Sequence, residues 1–196
     1  MMMHLVVLLL ALVVPASAFA EEAKEPHNEN YGRPGFYIGF VAFGAIQTFD
    51  DPESVDFSNG GGFNLRVGYR LTEHIAINGQ YEYADGFEAS GSNPFDVRDI
   101  SSFTGNLKLY FGPGRLQAFV EVGLGVFVTD DVGDDRFDNF DPYDFGTSGV
   151  ARLGGGLDFY LTEKVVLSGE VDYMKPFKLN KEFSYVTIGA GVSYRF

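Results

Sequence analysis

The sequence predicts an all-β chain, an eight-stranded antiparallel up-and-down transmembrane β-barrel, on three observations. Apolar and polar residues alternate with a period of two along most of the chain. The alternating segments reach the length of a tilted membrane-crossing strand, about 9–11 residues. The connections between them are long and short by turns.

A period of two places successive side chains on opposite faces of a strand. The C-terminus shows this most plainly. Val186, Ile188, Ala190, Val192, Tyr194 and Phe196 share one face, and Tyr185, Thr187, Gly189, Gly191, Ser193 and Arg195 share the other. Leu65, Val67 and Tyr69 oppose Arg66, Gly68 and Arg70 in the same way, and Val120, Val122 and Leu124 oppose Glu121, Gly123 and Gly125. In chain order the segments are 35–48, 63–71, 74–83, 99–111, 115–128, 149–161, 164–173 and 183–196. Long links fall at 49–62, 84–98, 129–148 and 174–182, and tight turns at Thr72-Glu73, Gly112-Pro113-Gly114 and Thr162-Glu163. This alternation gathers every long loop at one end of the barrel. Residues 69–83 (YRLTEHIAINGQYEY) are echoed ninety residues later at 159–173 (FYLTEKVVLSGEVDY), each copy a hairpin around a Leu-Thr-Glu turn.

Ahead of the barrel, residues 5–14 form an apolar run of ten, too short for a membrane-spanning helix. Pro15 ends it, and small-x-small cleavage sites follow with Ala18 and Ala20 as the last residues. This is the pattern of a secretory signal peptide. The expected organisation is a signal peptide over 1–20, a polar periplasmic leader over 21–34, and the barrel domain over 35–196, with cleavage after Ala18 or Ala20.

Alternation alone does not say which face points outward, and a lipocalin-like soluble binder would hold its apolar face inside. Four features favour apolar-out. Glycines crowd the polar face (Gly68, Gly123, Gly125, Gly154, Gly156, Gly189, Gly191), where a narrow lumen needs small residues. The same face carries a balanced charge set: Arg66, Arg70, Lys108, Arg152 and Arg195 against Glu82, Glu121, Asp158, Glu170 and Asp172. Such balance suits a closed interior, because a buried lone charge is costly. The apolar face lacks Lys and Arg in mid-strand. Aromatics gather towards the strand ends, with Tyr69, Phe111, Phe159, Tyr194 and Phe196 at one rim and Tyr83, Phe103, Tyr173 and Phe183 towards the other.

On these residues the chain resembles the small outer-membrane barrels of the OmpA/OmpX type. Gly35-Phe36-Tyr37-Ile38-Gly39 is similar to that family's first strand, and Val192-Ser193-Tyr194-Arg195-Phe196 to its closing signature. The resemblance implies an integral outer-membrane protein whose Val192, Tyr194 and Phe196 serve as the signal read by the barrel-assembly machinery. It also implies contact with outer-membrane lipid and lipopolysaccharide.

The remaining chemistry is sparse. A net charge of −13 without basic clusters excludes a nucleic-acid partner, and the absence of cysteine excludes disulfides and thiolate metal sites. The loops are acidic, and Asp130, Asp131, Asp134, Asp135 and Asp138 are weak candidates for divalent ions, although their spacing is not that of an EF-hand. Lys175, Lys178 and Lys181 make the last loop basic. Neither histidine beyond the signal segment, His27 or His74, falls at the long-loop rim where an acyl-transfer enzyme would need a base, so no enzyme and no cofactor are expected. The leading expectation is a monomeric structural and surface-interaction protein whose loops meet partners at the cell surface. A narrow ion or small-solute channel is the alternative, and the lipocalin-like binder a further one.

Overall fold

The computed structural model describes residues 31–47, 60–85, 97–131, 146–177 and 184–196. It is a closed barrel of eight antiparallel strands in chain order. They are β1 (Gly35–Gln47), β2 (Gly60–Arg70), β3 (Ile75–Asp85), β4 (Val97–Phe111), β5 (Leu116–Asp131), β6 (Gly146–Tyr160), β7 (Val165–Pro176) and β8 (Tyr185–Arg195). Closure is made by β1, which pairs with β2 on one side and β8 on the other, with Tyr37 opposite Gly68 and Arg195. A closed ladder leaves no strand edge, which is the condition for sheet to sit in a bilayer.

The three short turns have local causes. In the first, Leu71 N donates to Ile75 O at 2.8 Å, and Thr72 Oγ1 accepts from His74 N at 3.2 Å and Ile75 N at 3.1 Å. Its echo repeats the arrangement: Leu161 N donates to Val165 O at 3.0 Å, and Thr162 Oγ1 accepts from Lys164 N and Val165 N at 3.2 and 3.0 Å. The Leu-Thr-Glu repeat is therefore a repeated hydroxyl-capped turn. The third turn places Gly112 at φ 88°, a backbone conformation that glycine adopts without steric cost.

The strands run further towards the loop end than the alternation suggests. β5 has 16 residues, and pairing continues through Gly60 opposite Ala45, Asp85 opposite Gly61, Val97 opposite Asp131 and Thr129 opposite Gly146. Residues 60–62, 84–85, 97–98, 129–131, 146–148 and 174–176, read above as loop, are strand. Alternation marks the part of a strand whose outer face meets lipid; above it the backbone ladder persists without that constraint.

The orientation of the faces is unambiguous. Leu124 is 67% exposed and Val67 61%, while Arg66 is 3% and Arg152 2% exposed. Apolar side chains point out and charges point in, so the lipocalin-like reading, which needs the opposite, is overturned. Outward rings meet across neighbouring strands in two bands. Phe36 packs edge-on to Tyr69 at 4.7 Å near the turn end, and Phe63, Tyr81, Tyr83 and Phe103 adjoin one another higher up.

Candidate functional site

In a barrel this narrow the interior is the place where inward side chains from all eight strands meet. They form layers along the axis. Nearest the loop end is an apolar layer of Phe43, Ile100, Phe127, Val150, Met174 and Tyr185, all buried. These residues close the upper lumen.

Below it lies a charged layer built around Arg152. Its Nη1 donates to Glu82 Oε2 at 2.8 Å and its Nη2 to Asp172 Oδ2 at 2.7 Å, and its Nε sits 3.7 Å from Glu121 Oε1. Gln80, with its amide oxygen turned towards Arg152, accepts from both terminal nitrogens at 2.6 and 2.9 Å. Arg66 bridges to Glu170 at 2.5 Å and to Asn64 at 3.0 Å. Lys108 donates to Asp158 Oδ2 at 3.1 Å and lies 3.4 Å from the centre of the Phe119 ring. Tyr185 donates to Glu82 at 2.7 Å, and Asn78 joins Glu121 to Asn106. Close approach of the strands is part of the design. A Cβ at Gly154 would collide with the Asp172 carboxylate, and one at Gly123 with Asn106.

The ten inward charges are all buried but are not all partnered alike. Arg66, Lys108 and Arg152 share the five carboxylates. Arg70 and Arg195 sit at the turn end, where no carboxylate among the described residues reaches ion-pair distance of either. Arg70 donates instead to Gln117 Oε1 at 2.9 Å, to the Tyr160 hydroxyl at 2.8 Å, and to the carbonyls of Thr72 and Glu73. Arg195 donates to the carbonyls of Tyr31, at 2.5 Å, and Arg33. The charges balance in number but are separated along the axis.

The turn end is floored by a segment read above as leader. Tyr31 is 6% exposed, its ring 5.2 Å from that of Tyr160, and its hydroxyl accepts from Arg115 Nε at 2.7 Å. Nothing in the sequence around Tyr31 alternates, so it carried no strand signal. Its one local hint is an aromatic residue just ahead of the first strand. Asn64 and Gln117 fall on the polar face of the alternation, whereas the inward amides Asn78, Gln80 and Asn106 carry no signal of their own, because an inward amide looks no different in sequence from a surface one.

The other expected positions are placed as follows. Val192, Tyr194 and Phe196 face outward, Tyr194 and Phe196 packing edge-to-face at 5.2 Å, and Phe196 N donates to Phe36 O at 3.0 Å. Asp130 and Asp131 lie at the loop end of β5, Asp130 opposite Asp99. Asp134, Asp135, Asp138, Lys178, Lys181, Phe183, His27 and the signal segment lie outside the described residues. Among the described residues no cluster of metal-binding side chains occurs. His74 is exposed beside Glu73 in the first turn.

Comparison with known proteins supports the same architecture. Neisserial surface protein A superimposes with a TM-score of 0.58 at 17% identity, covering 84% of this chain and 99% of that one. The outer membrane protein OprG of Pseudomonas aeruginosa gives 0.57 at 15% identity, covering 83% and 96%. The N-terminal barrel domain of Pseudomonas aeruginosa OprF gives 0.50 at 19%, covering 84% and 100%. At these identities the likeness concerns the fold. No curated protein matches the chain. The sequence profile of the outer membrane protein beta-barrel domain matches residues 6–196, so the chain belongs to that family and is an integral β-barrel protein of the outer membrane.

Proposed function

We propose that this protein is a non-conducting scaffold that holds acidic loops at the cell surface, where they engage lipopolysaccharide and the divalent cations that bridge its phosphates. The observation that carries this reading is the filled lumen. An apolar layer, the Arg152 and Arg66 ion pairs, and the Tyr31 floor lie in series along the axis, and each is buried. An ion would have to break several charge-assisted hydrogen bonds to pass, each worth about 1.5–3 kcal/mol. Planar bilayers containing the purified protein are expected to show no discrete conductance steps. Reproducible single-channel openings of the unaltered chain would favour the narrow channel instead.

The loop half of the proposal rests on composition: Asp134, Asp135 and Asp138 belong to a loop rich in carboxylates, the hard oxygen donors that Ca²⁺ and Mg²⁺ prefer. Changing these three to Asn is expected to weaken Mg²⁺-dependent binding to lipopolysaccharide-containing vesicles, with the heat-shifted gel mobility of a folded barrel retained. Unchanged binding would reduce the loop to a solvated spacer. Catalysis has no part in this reading: among the described residues the one histidine, His74, lies in a short turn, at the opposite end of the strands from Asp130 and Asp131.

A further inference from the structure

Four cationic side chains border one small space in the lower lumen. Arg66, Arg70, Lys108 and Arg195 line it, together with Asp158 and Tyr37, and its volume is about 20 Å³. A cavity on this scale holds one water-sized occupant. Arg66 is paired with Glu170 at 2.5 Å and Lys108 with Asp158 at 3.1 Å, so the charge left without a carboxylate partner around this space is that of Arg70 and Arg195.

The partners these groups do have leave positive charge over. Asp158 is committed, with Oδ2 taken by Lys108 at 3.1 Å and Oδ1 by Ser168 at 2.7 Å. Arg70 and Arg195 are held by carbonyls, an amide, a phenol and ring faces, with Arg70 4.0 Å from the centre of the Tyr110 ring and Arg195 5.4 Å from that of Tyr160. Neutral acceptors and rings satisfy donors and fix orientation without cancelling a formal charge. Two donors around the same space are also unused. The Tyr37 hydroxyl makes no hydrogen bond of normal geometry, its near neighbour being the Asn78 amide. Arg66 Nε is likewise buried without an acceptor. Leaving a buried donor unmet costs about 1–3 kcal/mol.

We propose that this cavity binds a single small monovalent anion of halide size. A halide is one sphere little larger than water and accepts from every direction. It would meet both idle donors and offset the two arginines that lack carboxylates. A water molecule could bond the same donors, and the hydroxyls of Ser193, Tyr110 and Tyr160 on the lining, but it would bring no charge to set against Arg70 and Arg195. Tetrahedral oxyanions are too large, and a metal cation would be repelled by the four positive groups. The site is independent of whether the barrel conducts.

The test uses the full chain in detergent, with bromide as the probe. Crystals grown in bromide are expected to show an anomalous peak within hydrogen-bond reach of Tyr37 Oη and the Arg66 guanidinium. The thermal unfolding midpoint is expected to rise by about 2–4 °C in bromide over gluconate at equal ionic strength. Tyr37→Phe keeps the ring and removes only the hydroxyl, and should abolish most of that rise. No peak, or equal midpoints in the two salts, would overturn the site. A peak with equal midpoints would mean occupancy at crystal concentration only, and overturns it as well. If Tyr37→Phe does not fold, the salt series on the unaltered chain decides.

Discussion

Replacing Arg152 by Ala is expected to cost about 3–5 kcal/mol of stability, the range for breaking a buried ion pair by removing one partner. Arg152 bonds Glu82 and Asp172 and lies beside Glu121, so its loss leaves a group of buried carboxylates with too little compensating charge. Arg66 is already engaged by Glu170 and Asn64, and Lys108 by Asp158. Urea unfolding of the variant in detergent or lipid vesicles measures the loss. A change below about 1 kcal/mol would place the pair in the range of solvated surface bridges and mean that water reaches the layer freely. The charge argument has its own control. Neutralising the acceptors together with the donor, as Arg152→Met with Glu82→Gln and Asp172→Asn, should recover much of the loss, because a volume-matched neutral layer avoids desolvating charge.

The second large effect lies on the opposite face of the sheet. Leu107 of β4 points outward midway between the outward rings of Phe103 and Phe111, and it is paired with Val122 of β5, which pairs in turn with Leu153 of β6. The aromatic bands mark the two interfaces, so this row sits near the bilayer midplane. Leu107→Arg is expected to destabilise the barrel by about 2–4 kcal/mol in lipid vesicles. Leu116→Arg, beside Phe159 at the turn end, should cost only about 0–1 kcal/mol, because an arginine there can reach the headgroups. The comparison, read by folding equilibria in vesicles, separates depth in the membrane from mere exposure. Equal costs at the two positions would mean that the outer face does not meet a hydrocarbon layer centred on Leu107.

The sequence determined most of the backbone. Strand number, order and the outward sense of Leu65, Val67, Val122, Leu153 and Ile188 follow from alternation, because a period of two is a property of each strand by itself. The short turns follow from Thr72, Thr162 and Gly112, whose effects are local. The inward direction of the ten charged residues was also readable, since lipid on one face leaves them only the other.

What the tertiary structure decided is who meets whom. Partners such as Arg152 and Glu82, or Arg66 and Glu170, are 70 and 104 residues apart in sequence and come together across the lumen through strand register and tilt. Balanced numbers suggested paired charges throughout. The axial positions instead place five carboxylates with three cations and leave Arg70 and Arg195 to carbonyls and phenols at the turn end. The Tyr31 floor and the apolar layer of Ile100, Phe127, Val150 and Met174 were hidden for the same reason. A residue that closes a tube is defined by what lies across the tube, and no periodicity along one strand records that.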